Sequence, residues 1–124
     1  MFTLKQQYKG LTEIFMDQKL AKLGDAYVNF LYSLALSNKK GNPTGIKVKG
    51  SLLADAFKKA GLRKFLPSRI DRHKQADAAE ALIVYVWIQG LMSLEESLEI
   101  FEKSEDDLEA FSCLMLTAKM KINI

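Results

Sequence analysis

The stretch SRIDRHKQADAAEALIVYVWIQ, Ser68–Gln89, decides the fold. Its second half, Ala81–Ile88, reads ALIVYVWI and is apolar on every face, so a helix formed there is buried all round. The helix starts near Ser68–Asp71, runs to Gln89 and is closed by Gly90. Ala76, Ala78, Ala79 and Ala81 let neighbouring backbones come close. Asp77 and Glu80 stand among those alanines, three apart and therefore on one face. His73 lies four residues before Asp77, and a helix-surface pairing of the two is its plainest role. Carboxylates at the mouth of a buried helix are costly unless paired, hydrated or bound to a cation. Arg69, Arg72 and Lys74 lie just upstream, so the plainer reading is a buried salt bridge and the sharper one a cation site.

On both sides of this segment the pattern stays helical, and no period-2 run with a hairpin turn occurs. Thr12–Asn38 reads as one long helix or two in series. Asn38–Gly50, with Gly, Asn and Pro together, reads as a mobile basic surface loop carrying Lys39, Lys40, Lys47 and Lys49. Ser51 is expected to cap a helix over Leu52–Ala60, stopped by Gly61. Ser93 and Glu96 have the spacing of a capping box ahead of a helix at 94–103. Ser104 is expected to cap a last helix, with Glu105, Asp106 and Asp107 at its positive pole and Lys119 and Lys121 near its end. Trp87 and Tyr85 read as core or dimer interface, and Cys113, among Phe111, Leu114 and Met115, as core.

The expectation is a single all-α domain over residues 1–124. One cysteine and one histidine exclude an internal disulfide and a zinc cluster, and fit a reducing, cytoplasmic setting. The longest uncharged stretches, Ala26–Asn38 and Ala81–Leu94, fall short of the roughly 20 apolar residues that span a bilayer. No secretory signal is read at the start. Net charge is only +3, but residues 1–90 hold 15 Lys and Arg against 7 Asp and Glu, while residues 91–124 hold 3 against 8. A basic body suggests an anionic partner, although solvated lysine faces would look the same.

Asp25 is the third carboxylate of interest. It follows Gly24 in mid-helix, where glycine costs about 1 kcal/mol relative to alanine and often marks close helix contact. Asn29, four residues on, could sit beside it. One Asp on one helix and a D-x-x-E on another could hold Mg²⁺, which takes hard oxygen ligands, water and substrate phosphates.

The segments LGDA (Leu23–Ala26), SLLADAFKKAGL (Ser51–Leu62) and ADAAEALI (Ala76–Ile83) resemble, in that order, the ribonuclease III endonuclease domain. The chain looks closest to the small archaeal ribonuclease III-like proteins, with no room for a C-terminal double-stranded-RNA-binding domain. The resemblance implies an all-α fold that forms a homodimer. It also implies Mg²⁺- or Mn²⁺-dependent hydrolysis of double-stranded or structured RNA. Asp25, Asp77 and Glu80 take the positions of the family's catalytic, metal-holding carboxylates, and Lys74 that of a common basic residue. The family's usual ERLEFLGD is here Gln18-Lys-Leu-Ala-Lys-Leu-Gly-Asp25, so Ala21 replaces a metal-side Glu and Gln18 an outer one. Compact members of the family also lack the metal-side Glu. Asp17, two turns before Asp25, is the nearest substitute carboxylate. A-form RNA is read mostly through phosphates and 2′-hydroxyls. The candidates for that contact are Arg63, Lys64, Arg69, Arg72, His73 and Lys74, with Lys39, Lys40, Lys47 and Lys49 on the loop. Two rival functions share these features: an RNA-binding module that has lost catalysis, and a helical adaptor that binds protein.

Overall fold

A single helix, α4 (Arg72–Ile88), is the axis on which most of the others pack in the computed structural model, which describes residues 2–124. Among the described residues, six α-helices and one 3-10 turn make up the regular structure, with no strand. Twelve side chains of α4 are buried, from Gln75 to Ile88, as a helix apolar on all faces requires. α2 (Gln18–Lys40) makes the most extensive contact with it. α3 (Gly50–Lys59) covers a second side of α4 and meets α6 (Asp107–Lys121), while α5 (Leu94–Lys103) packs against α2 and α6. A five-residue helix, α1 (Leu11–Phe15), buries Ile14 and Phe15 against the same core. No helix is long and apolar enough to cross a membrane.

Of the two readings of Thr12–Asn38, two helices in series form, broken at Met16–Asp17. Asp17 caps α2 by accepting from the backbone N–H of Lys19 and Leu20. Its other carboxylate oxygen takes the Tyr8 hydroxyl at 2.5 Å, which ties the extended N-terminal segment to the start of α2. Asp17 is therefore committed to capping, and it does not line the cavity that holds Asp25. The Ser93–Glu96 capping box and the helix at 94–103 form as expected. Gly61 and Gly90 both take left-handed backbone after their helices.

Two expected caps are elsewhere. Lys49, not Ser51, precedes α3, because the helix begins two residues earlier than expected, at Gly50. Asp106, not Ser104, caps α6, accepting from Glu109 N–H at 2.8 Å; Ser104 instead closes α5, its hydroxyl bonding the Ile100 carbonyl at 2.6 Å. Cys113 is exposed rather than core. The apolar buried stripe of α6 is Ala110, Phe111, Leu114, Met115 and Ala118, flanked by buried Ser112, and its 3.6-residue period turns position 113 outward. Tyr85 is core, edge-on to Tyr8, whereas Trp87 is half-buried and stacks on Tyr27 at 4.8 Å.

Candidate active site

The crossing of α2 and α4 sets the site. Gly24 lies directly on the Glu80 backbone: a Cβ there would overlap the Glu80 carbonyl and stand 3.0 Å from Glu80 Cβ. With no side chain between them, the helices close, and Asp25 comes beside Glu80. Asp25, Asp77 and Glu80 line one cavity of about 460 Å³. Its other walls come from α2 (Gln18, Ala21, Lys22), from Lys47 and Val48, from the start of α3 and from His73.

Glu80 is 8% exposed and has no cation within ion-pair distance among the described residues. Burial pushes its carboxyl up to about 8, helped by a hydrogen bond with Asp25 and by the charges of Asp25 and Asp77; Lys47 pulls the other way. Asp25 also accepts from Asn29 Nδ2 at 3.3 Å, the i, i+4 pairing expected for these residues. Asp77 meets His73 Nε2 at 3.8 Å, and that histidine is otherwise open to solvent.

A buried salt bridge from the upstream cations does not form. Arg72 turns away to Asp55 at 2.7 Å and the Ser51 carbonyl at 3.2 Å. Arg63 is spent on the Pro67 and Ser68 carbonyls at 3.0 and 2.9 Å. Their hydrogen bonds hold these two arginines to the protein, so they are not free cations facing the carboxylates. Lys64 lies over the Phe65 ring at 5.6 Å, and Arg69 and Lys74 are exposed. Lys39 and Lys40 belong to the last turn of α2, not to a loop. They are some 14 residues beyond Asp25, roughly 21 Å along the helix axis.

The donor set is chemically that of a hard divalent cation: three carboxylates on one cavity, one of them buried without a counter-charge. It is not a pre-assembled cage. Among the described residues no group of three or more His, Cys, Asp or Glu stands close enough to hold an ion as it is. Ala21, 4% exposed on the cavity wall, leaves one side without a donor.

The segment carrying Lys47 and Val48 is not the mobile loop its composition suggests. Asn29, Ser33 and Ser37 of α2 bond its backbone. Their four-residue spacing on a mostly apolar helix half was the available sign. It is a faint one, because serines in helices usually bond their own carbonyls.

No curated protein matches the chain. The family model for ribonuclease III matches residues 18–118. That span runs from the first turn of α2 nearly to the end of α6 and includes every wall of the carboxylate cavity. With an all-helical fold beneath it, the chain belongs to the ribonuclease III family.

Proposed function

We propose that this protein is a divalent-metal-dependent endoribonuclease that hydrolyses phosphodiester bonds in double-stranded or structured RNA. Family membership supports RNA endonuclease activity in general. The observation that carries the finer reading is the meeting of Asp25, Asp77 and Glu80 on one cavity, with Glu80 buried and lacking a cation. Asp25, Asp77 and Glu80 would hold Mg²⁺ or Mn²⁺, which supplies activated water and charge stabilisation at a phosphodiester when bound. Asn29 fixes one oxygen of Asp25 and so limits the rotation of that carboxylate. Burial and Asp25 raise the Glu80 carboxyl, so a cation held there would displace its proton, and loading is expected to release protons. Arg69, Lys74 and Lys64 are exposed cations able to meet RNA phosphates, which suits shape-based recognition of an A-form duplex.

The homodimer is part of the same proposal. Leu23 and Phe30 lie two turns apart on α2, and Phe30 is 55% exposed. An apolar face of this kind on a small domain is the usual mark of an interface.

The test is cleavage of a labelled RNA duplex in Mg²⁺ or Mn²⁺, with EDTA and an Asp77→Asn/Glu80→Gln variant as controls. Metal-dependent cutting that the variant lacks is the expected result. Ala21 favours a second reading, a non-catalytic RNA-binding module, because the cavity lacks a donor there. Equal RNA affinity with and without Mg²⁺, and no cutting by folded protein, would establish that reading instead.

A further inference from the structure

The segment Thr44–Val48 has no regular secondary structure, and side chains of a helix hold its backbone. Asn29 Oδ1 accepts from Val48 N–H at 2.7 Å. Ser33 Oγ accepts from Ile46 N–H at 2.9 Å and donates to the Ile46 carbonyl at 3.0 Å. Ser37 Oγ accepts from Thr44 N–H at 3.0 Å and faces the Thr44 carbonyl at 3.2 Å. Each step of four residues along α2 thus meets a step of two residues back along the strap. The pitches explain the register: four helical residues advance about 6.0 Å and two extended residues about 6.7 Å. The mismatch is small enough for three rungs and would break a much longer ladder.

The rung nearest the cavity continues into the site. Asn29 accepts from the strap with Oδ1 and donates to Asp25 Oδ1 with Nδ2, and only this orientation of the amide satisfies both partners. Val48, 6% exposed, anchors the strap in the core. Lys47, next to it, is thereby held on the carboxylate cavity. It forms no ion pair within 4.0 Å among the described residues, so its ammonium remains available.

A lysine on a free loop would spend little time over the cavity. Pinning the backbone on both sides leaves only side-chain rotations, which confines the charge to the cavity mouth. A phosphodiester is repelled by whichever of these carboxylates carry charge, and Lys22 and Lys47 are the two lysines lining this cavity. An ammonium with three rotatable donors suits a phosphate oxygen whose position shifts during reaction. We infer that Lys47 contacts the phosphate of the RNA strand entering the carboxylate cavity, and that Ser33, Ser37 and Asn29 are positioning residues that hold it there. The identity of the anion as RNA rests on the nuclease reading above.

The test uses the full chain with Lys47→Met, Lys47→Arg and Ser33→Ala/Ser37→Ala. Lys103→Met, on α5 away from the cavity, is the control. Two readouts are taken: the single-turnover cleavage rate of an RNA duplex in Mg²⁺, and the salt dependence of duplex affinity in EDTA. Lys47→Met is expected to slow cleavage by about 100-fold, the lower end of the scale for losing one charge-stabilising donor. It should also lower the log–log salt slope by about one. Lys47→Arg should recover most of both, and Lys103→Met should change neither. Removing the two serines should slow cleavage, and adding Lys47→Met to that background should cost far less than it does alone. A simple loss of stability would not produce that coupling. If the wild type cuts and Lys47→Met matches it in rate and slope, the inference is overturned and the nuclease reading stands. If the wild type binds without cutting, the nuclease reading fails. The slope then decides this inference: a drop of about one retains the phosphate contact, and no drop overturns it. Absence of any RNA binding overturns both.

Discussion

Gly24 has no side chain because the Glu80 backbone occupies the space one would need. Alanine is intrinsically better in a helix by about 1 kcal/mol. Here the clash is with backbone, which cannot swing aside, and overpacking of that kind costs about 1–3 kcal/mol or more. Gly24→Ala is therefore expected to destabilise the protein and to slow cleavage by spreading Asp25 from Glu80. Urea denaturation together with the cleavage rate checks this, and a stabilised, fully active variant would refute the close crossing. Glu80 itself is held at a cost to stability. Its carboxyl is raised from 4.5 to about 8. A raised acid lowers stability where the unfolded chain ionises and the folded one does not. The cost is absent below about pH 4.5, grows up to about pH 8 and is complete above it. In EDTA, Glu80→Gln should exceed the wild type in stability by a few kcal/mol at high pH, at about 1.4 kcal/mol per pH unit of that window. Near the lower limit the difference should vanish. A stability difference that does not change with pH would remove this account of Glu80.

Element by element, the start of α2 is the junction that other features depend on. Asp17 caps it and receives the Tyr8 hydroxyl, so one carboxylate holds both the helix end and the N-terminal segment. Burial pushes the Asp17 carboxyl up, but hydrogen bonds from Tyr8, Leu20 N–H and Lys19 N–H outweigh it and hold the group below its usual range. A lowered acid stabilises the fold above its ordinary pKa of 3.8, and that contribution is lost as the pH falls through the folded value. Asp17→Ala should cost about 1–2 kcal/mol at neutral pH, the range for losing an N-cap. The deficit should shrink in acid below about pH 4. Thermal melts at the two pH values measure this, and a deficit unchanged in acid would show that packing rather than charge carries the effect.

The whole molecule buries most of α4 beyond its first turn and leaves part of α2 apolar and uncovered. That imbalance is what the proposed second copy would relieve. Phe30→Glu places a charge in the middle of the exposed face, and we expect it to shift the protein from dimer to monomer in sedimentation experiments while the helical content stays the same. A wild type that sediments as a monomer at micromolar concentration would rule out this face as a homodimer interface. The acidic C-terminal third follows in part from helix chemistry: Asp106 caps α6, Asp107 and Glu109 sit in its first turn, and Glu96 pairs with Lys121 at 2.9 Å.

Periodicity by itself determined that the chain is helical, that Ala81–Ile88 is interior, and that the helices stop at Gly61 and Gly90. These properties depend on a residue and its near neighbours, which the linear order contains. The same logic foresaw the Asp25–Asn29 and His73–Asp77 pairs, since four residues in a helix bring two side chains together. It failed at Ser104 against Asp106, two cap formers a pair of residues apart, and at Ser51, where α3 starts without any side-chain cap. Tertiary structure alone decided three things. Arg72 pairs with Asp55 across α3 and not with the carboxylates on its own helix. Asp25 joins Glu80 because the helices touch at Gly24. A stretch rich in Gly, Asn and Pro becomes a fixed strap because the helix beside it offers hydroxyl and amide groups at a matching pitch. Each of these depends on a distance between segments remote in the chain, and only packing sets such distances.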